Sequence, residues 1–186
     1  MDGYSIGLFF HIVGALGIFV ALGLEWTGLW QIRNAATQGQ VREWMGILKN
    51  VRKVGSFSML AAVITGIYMM VIEWGGVAWI IASMASLVLV IILSQALTRP
   101  RMTAIGQSLV TEEEVLSHAY RNLSKHPLLW ISIQTRLALT LGIVFLKTIK
   151  PGLGGSLLIV GIGIVLGVVS ALPMVRHERV QQEMTV

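Results

Sequence analysis

The sequence contains no cysteine and few charged residues. Without cysteine there is no disulfide framework and no thiolate metal site, and the redox compartment cannot be inferred. Asp, Glu, Lys and Arg together make up 12% of 186 residues, against about 25% in an average soluble protein. This shortage of charge argues against a soluble globular domain.

Motifs for hydrolytic chemistry are also missing. The sequence has no metalloprotease motif, no phosphate-binding glycine loop and no pair of carboxylates within one apolar stretch. The four histidines do not supply two imidazoles at one depth in the outer half, which a bis-histidine haem site needs. The sequence therefore does not predict an enzyme.

What the chain has instead is apolar length. Apolar residues make up 55% of it, and a transmembrane helix needs about 20 of them in succession. Five stretches qualify. We predict an all-α integral membrane bundle that forms a single domain over 1–186, with spans near 4–30, 55–74, 77–98, 128–147 and 153–175. The first stretch is too long for a signal peptide and no basic residue precedes it, so we expect it to remain in the mature protein.

Basic residues between the spans predict the orientation. Eleven Lys and Arg lie in the 31–54 and 99–127 segments and the C-terminal tail, whereas only Lys147 and Lys150 lie on the other side. By the positive-inside rule the N-terminus is outside and the C-terminus is in the cytoplasm. The basic residues flank membrane spans, so they do not predict nucleic-acid binding.

Two intracellular segments are predicted to be helical. In 37–54, Thr37 and Gln40 have capping-box spacing, and apolar residues recur at helical intervals beside cations. In 111–126, Thr111 and Glu114 repeat the capping box, and His126-Pro127 ends the segment. We expect two amphipathic connecting helices, the first lying on the inner leaflet. They are either simple connectors or docking surfaces for a partner.

Short breaks and tryptophans mark the ends of the spans. Gly75-Gly76 and Lys150-Pro151-Gly152 predict tight outer turns, so spans 2 and 3, and spans 4 and 5, are expected to be antiparallel neighbours. Indole rings prefer the headgroup level of a bilayer. Five tryptophans fall near predicted span ends, namely Trp26, Trp30, Trp74, Trp79 and Trp130.

Small residues recur along the first span. Gly7, Gly14, Ala21 and Gly28 are spaced by seven, and His11, Ile18 and Glu25 follow the first three by four. Such a seam lets a neighbouring backbone approach closely, so His11 and Glu25 are expected to face protein. The fifth span has a second small face in Gly161, Gly163 and Gly167.

Ionisable groups inside a membrane are costly and need a partner or a purpose. His11 lies in the outer half of its span, at a depth that Met69, Met70 and Met84 could reach. Imidazole with thioethers is a possible ligand set for copper or haem iron. The alternative is a neutral histidine that donates to a carbonyl, with methionines filling gaps in the packing.

Glu25 and Arg136 are the other two ionisable groups. Each lies five or six residues from a tryptophan at the inner interface, Trp30 for Glu25 and Trp130 for Arg136. Their depths nearly coincide, and the Arg136 side chain should lean toward the cytoplasm. We predict a buried ion pair. The alternative leaves Arg136 free to hold an anionic substrate or a haem propionate.

The opening LFFHIVGALGIFVALGLEWTGLW and the later segment TRLALTLGIVFLKTIKPG support a family resemblance. Both resemble small bacterial membrane proteins related to the copper-resistance D family, including uncharacterised members. More distantly, the chain resembles the membrane protoporphyrinogen oxidase of haem synthesis, whose first-span histidine corresponds to His11. The third span has no lysine to match that enzyme's second functional residue. The resemblance implies a helical bundle of the bacterial inner membrane with a haem or copper role.

Three functions are therefore open. The first is a membrane protein that binds haem or copper through His11. The second is a small permease, as a monomer or a homo-oligomer, with a polar path at Glu25 and Arg136. The third is an accessory subunit of a larger membrane complex.

Overall fold

The computed structural model describes residues 3–109 and 116–183 of the chain. Within these ranges the protein is almost entirely helical and contains no strand. Five helices are long and apolar enough to cross a membrane, at positions that include the five predicted spans or most of each. The prediction of an all-α bundle is confirmed.

The helices follow one another with short connections. Two of them end in a π-helical turn, in which the backbone hydrogen bonds span five residues instead of four. The elements are α1 (Gly3–Arg33), α2 (Gln38–Met69) with the π-helical turn Met70–Trp74, α3 (Ala78–Leu93) with the π-helical turn Ser94–Thr98, α4 (Arg99–Gln107), α5 (His118–Ser124), α6 (Pro127–Ile149) and α7 (Leu153–Glu183).

The first connecting segment differs from the expectation of a separate surface helix. The Thr37 side chain caps α2 by accepting a hydrogen bond from the Gln40 backbone N–H, as its capping-box spacing predicts. From there the helix continues through Gly55 into the second span, giving 37 residues in all. At about 1.5 Å per residue it is roughly 55 Å long, so its first turns extend beyond a hydrocarbon core of about 30 Å.

The apolar stripe of this segment packs against protein. Val41 is fully buried, and Leu48 and Val51 are buried as well. An amphipathic stripe has the same periodicity whether it faces a lipid surface or another helix. The pattern alone could not distinguish the two.

The second connecting segment is described in part. Thr111 and Glu114 lie outside the described residues. The described helix α5 begins after Ser117, whose side chain accepts a hydrogen bond from the Tyr120 backbone N–H at 3.2 Å. His126 then caps α6 by accepting from the Leu128 N–H at 3.3 Å. The predicted start of the fourth span at His126-Pro127 is where the structure has it.

The helices form two packed groups. One group is the pair α1 and α2, and the other consists of α3, α6 and α7. The membrane-spanning helices of the two groups are joined mainly by α1 against α6. The prediction that spans 4 and 5 are neighbours is confirmed by the extensive packing of α6 on α7.

Spans 2 and 3 were also expected to be neighbours, but they do not pack along their lengths. They share a turn at Gly75, where φ is +62°, and the Trp74 and Trp79 rings meet there. Beyond that turn α2 packs on α1 and α3 packs on α6, so the two helices diverge. A short connection fixes the distance between two helix ends, but it does not force their lengths into contact.

The predicted seam on α1 faces α2. Gly7, Gly14, Ala21 and Gly28 are all buried. The closest approach to the α2 backbone is at Gly14, where an added Cβ would lie 2.8 Å from the Ser58 carbonyl oxygen. The small residues let the two backbones come together, as the seven-residue spacing predicts.

Contacts near the helix ends define two opposite ends of the bundle. We call them the inner and the outer end, after the predicted orientation. At the inner end the Tyr120 hydroxyl donates to the Ile32 carbonyl, and Arg42 donates to the Leu109 carbonyl at 2.7 Å. At the outer end the Trp74 indole donates to the Tyr4 hydroxyl at 3.1 Å. The connections thus alternate between two ends, as five successive spans require.

Trp130 does not act as an anchor in the headgroup region. It is only 1% exposed and belongs to the hydrophobic core at the inner end. Trp30 packs edge-on against it, and the Arg33 guanidinium lies over its ring, 5.4 Å from the centroid. Proximity to a span end therefore does not by itself place a tryptophan at the lipid interface.

Which end faces the cytoplasm stays a prediction. Cysteine labelling at Gly39 and at the C-terminus should report the cytoplasmic side, because most of the basic residues are at that end. Labelling at Gly76 and Gly152 should report the outside. The opposite result at Gly39 and Gly76 would show that the protein has the reverse orientation.

Candidate functional site: an intramembrane cleft beside Glu25 and Arg136

The structure brings Glu25 and Arg136 together. The Arg136 guanidinium donates to both carboxylate oxygens of Glu25, at 2.9 and 2.8 Å. The Arg136 side chain is 4% exposed and that of Glu25 is 22% exposed. This two-point geometry is the strongest arrangement available to an arginine and a carboxylate, and it joins α1 to α6.

A network of hydroxyl groups also contacts the guanidinium. Arg136 Nη2 also donates to the Thr98 hydroxyl at 3.3 Å. That hydroxyl is 2.9 Å from the Ser132 hydroxyl, and Ser132 in turn donates to the Leu93 carbonyl at 3.2 Å. Thr98 closes the π-helical turn after α3, and such turns occur often at functional sites.

A cleft of about 640 Å³ opens next to this ion pair. It lies where α2 and α3 diverge, and its walls come from α1, α2, α3, α4 and α6. Its polar side holds Glu25, Arg52, Gln95, Arg99 and Arg136. The volume falls in the usual range for small-molecule sites, roughly 300 to 1,000 Å³.

The charge of this cleft is unbalanced. Three arginines line it against the single carboxylate of Glu25, which Arg136 already neutralises. The partner of the Arg99 guanidinium in the cleft is neutral, the Gln95 side chain at 3.0 Å. The cleft therefore favours an anion.

His11 forms a second polar contact between α1 and the neighbouring helices. Its Nδ1 lies 2.8 Å from the Ala62 carbonyl oxygen. A carbonyl can only accept, so Nδ1 carries the proton and donates. The other nitrogen, Nε2, is in contact with the Lys147 amine of α6. Both ring nitrogens are thus engaged, as the alternative of a structural histidine expects.

This arrangement does not fit a metal ligand. A metal or haem iron needs the lone pair of a ring nitrogen. Here Nδ1 is protonated and the lone pair of Nε2 faces the Lys147 amine. Coordination by His11 would require Lys147 to move away first.

The three methionines named with His11 lie in different surroundings. Met69 is buried and packs beside Gly7. Met70 begins the π-helical turn after α2, and Met84 lies half-buried within α3. In the part of the chain that the structure describes, no three His, Asp or Glu side chains form a group that could hold a metal. The set of His11 and methionines stays a prediction.

Sequence reasoning missed several polar residues at these sites. The position of Lys147 near a span end indicates only which side of the membrane it is on, whereas its long side chain can reach down to the depth of His11. Arg52 and Arg99 were read in the same way, as flanking charges. Thr98 and Ser132 gave no signal, because a hydroxyl inside a span usually bonds to its own helix.

Comparison with known proteins identified no relative of this chain. No family model matches the chain, and neither a curated protein nor a solved structure is significantly similar to it.

Proposed function

We propose that this protein is a small membrane permease for an anionic substrate, with the cleft beside Glu25 and Arg136 as its binding site. One observation carries the proposal: a buried arginine, already paired, lines an open cleft of about 640 Å³. A purely structural ion pair would be expected to lie in a closed core. Ionisable residues that face a cavity inside a membrane commonly mark a substrate path.

Arg136 has the support that a binding residue needs. The Thr98 hydroxyl accepts a hydrogen bond from the guanidinium and is itself bonded to the Ser132 hydroxyl. If an anion took the place of the Glu25 carboxylate, these hydroxyls would keep the guanidinium oriented. Such an exchange re-forms the charge-assisted hydrogen bonds of the guanidinium, and the displaced Glu25 carboxylate, which is 22% exposed, is then solvated in the cleft.

The arrangement of the helices is also suited to transport. The pair α1 and α2 and the group α3, α6 and α7 are joined through α1 and α6, where Glu25–Arg136 and His11–Lys147 form two polar contacts. The two α1 residues are about 21 Å apart along the helix, at about 1.5 Å per residue. Two helix groups joined along one line could rock about it, which is one route to alternating access.

Proteoliposomes test the proposal. We expect the reconstituted protein to move either a radiolabelled phosphate ester across the membrane or a fluorescent anionic phospholipid between leaflets. Arg136→Gln should abolish that movement, whereas the exposed Thr27→Ala should leave it unchanged. If the wild type moves neither class, or if Arg136→Gln moves it equally fast, the permease proposal fails.

The haem or copper hypothesis stays a separate prediction with its own measurement. It expects a visible absorbance band or a co-purifying metal in the purified protein, and loss of that signal in His11→Ala. Replacement of Lys147 by methionine should then strengthen the signal, because it frees Nε2. Wild-type protein that carries neither haem nor copper would contradict the hypothesis.

A further inference from the structure

We infer that the substrate is a lipid with a phosphate headgroup, which enters the cleft sideways from the bilayer between α2 and α3. This inference rests on the proposed function, since it identifies what the cleft binds. Three features carry it: the lateral opening, the apolar walls and the position of the arginines.

The first feature is the opening. Sequence neighbours α2 and α3 pack on different partners and diverge below their outer turn. Leu60 of α2 and Ile91 of α3 line the cleft and are exposed, so the gap between the two helices opens toward the surrounding lipid. A molecule already dissolved in the bilayer could reach the cleft without passing through water.

The second feature is the mixed chemistry of the walls. Leu60, Val63, Val90 and Ile91 line the cleft together with its arginines. Leu60 is 55% exposed and Ile91 is 41% exposed, so the apolar wall continues to the surface of the bundle. A small water-soluble anion would gain nothing from this wall, whereas an acyl chain would bury apolar surface against it.

The third feature is the depth of the charges. Arg52 lies three residues before the second predicted span, and Arg99 directly follows the third. Both positions therefore correspond to the level of lipid headgroups, while the Arg136 backbone lies six residues beyond Trp130, about 9 Å further along α6 at 1.5 Å per residue. Basic pockets between transmembrane helices at this level bind anionic headgroups.

Charge and size favour a phosphate over a carboxylate. After Glu25 and Arg136 are paired, Arg52 and Arg99 remain, and a phosphate monoester offers up to two negative charges and three acceptor oxygens. Guanidinium forks match phosphate oxygens two at a time. A cleft of about 640 Å³ suits a headgroup and the first part of a chain, with the remaining chain in the bilayer.

Native mass spectrometry of the full-length protein in detergent tests the inference. The probes are phosphatidic acid, phosphatidylcholine, oleate and glycerol 3-phosphate. We expect phosphatidic acid to bind tightest. The double variant Arg52→Gln/Arg99→Gln should weaken its binding roughly tenfold or more, because charge-assisted hydrogen bonds are lost.

The matched control is Lys53→Gln/Arg101→Gln. It removes the same number of charges from the same two regions, and neither residue lines the cleft. We expect it to bind phosphatidic acid like the wild type. The single variant Arg52→Gln, which changes an exposed side chain, provides the same comparison if the double variant does not fold.

Each other outcome overturns a different statement. Equal binding by the double variant and the wild type would show that Arg52 and Arg99 are not part of the binding site. Equal binding of oleate would exclude the phosphate specificity, and equal binding of glycerol 3-phosphate would exclude a lipid while leaving the permease intact. Specific binding of phosphatidic acid without movement in proteoliposomes would overturn the permease and leave the lipid site.

Discussion

Arg136→Gln is expected to lower the free energy of unfolding by about 3 kcal/mol, at the lower end of the roughly 3 to 5 kcal/mol that removing one partner of a buried ion pair costs. The lower end applies because Glu25 is 22% exposed and the cleft gives it some access to solvent. The cost arises mainly from the Glu25 carboxylate, which is left without its cation. Denaturation in detergent, followed by circular dichroism, measures the change.

A double-mutant cycle separates the ion pair from the individual charges. Glu25→Gln/Arg136→Gln should cost clearly less than the sum of the two single changes, because it leaves neither charge uncompensated. Glu43→Gln and Arg101→Gln are controls, since Glu43 is exposed and neither residue lines the cleft. Strictly additive losses at Glu25 and Arg136 would mean that the contact contributes nothing to stability.

Gly167→Ala is expected to destabilise the packing of α6 on α7. A Cβ at position 167 would lie 2.3 Å from the Thr135 Cα and 2.8 Å from its backbone nitrogen. Backbone atoms within a helix cannot rotate away as a side chain can, so the two helices would have to separate. Overpacking of this kind costs about 1 to 3 kcal/mol, which a lowered melting temperature in detergent would reveal.

Gly161→Ala is the matched control on the same helix. No atom lies within 4 Å of a Cβ built there, and alanine favours a helix over glycine by about 1 kcal/mol. We expect Gly161→Ala to be neutral or slightly stabilising. Equal melting temperatures for the two alanine variants would show that the close contact at Gly167 is not required.

The glycines of α7 show a limit of prediction from sequence. Spacing assigns Gly161, Gly163 and Gly167 to one small face, yet of these three only Gly163 and Gly167 are buried against α6, while Gly161 is exposed. A stripe of small residues indicates where a helix can be approached. It does not indicate which of its members the neighbour covers.

Features that depend on depth in the bilayer could be predicted from residue numbers and composition. Hydrocarbon thickness limits the length of an apolar run, so the five spans could be read from composition. Depth counted from Trp30 and Trp130 paired Glu25 with Arg136, and the seven-residue spacing predicted the buried face of α1. Each of these inferences uses positions along one helix axis, which residue numbers supply directly.

The side-by-side arrangement of the helices, in contrast, could be read only from the folded protein. It extended α2 through the predicted surface helix, buried Trp130, brought Lys147 to His11 and separated α2 from α3 to open the cleft. These outcomes depend on how side chains from distant parts of the chain fit together, and no spacing within one helix encodes that fit. The bilayer fixes the depth of a residue, whereas packing between helices decides its neighbours.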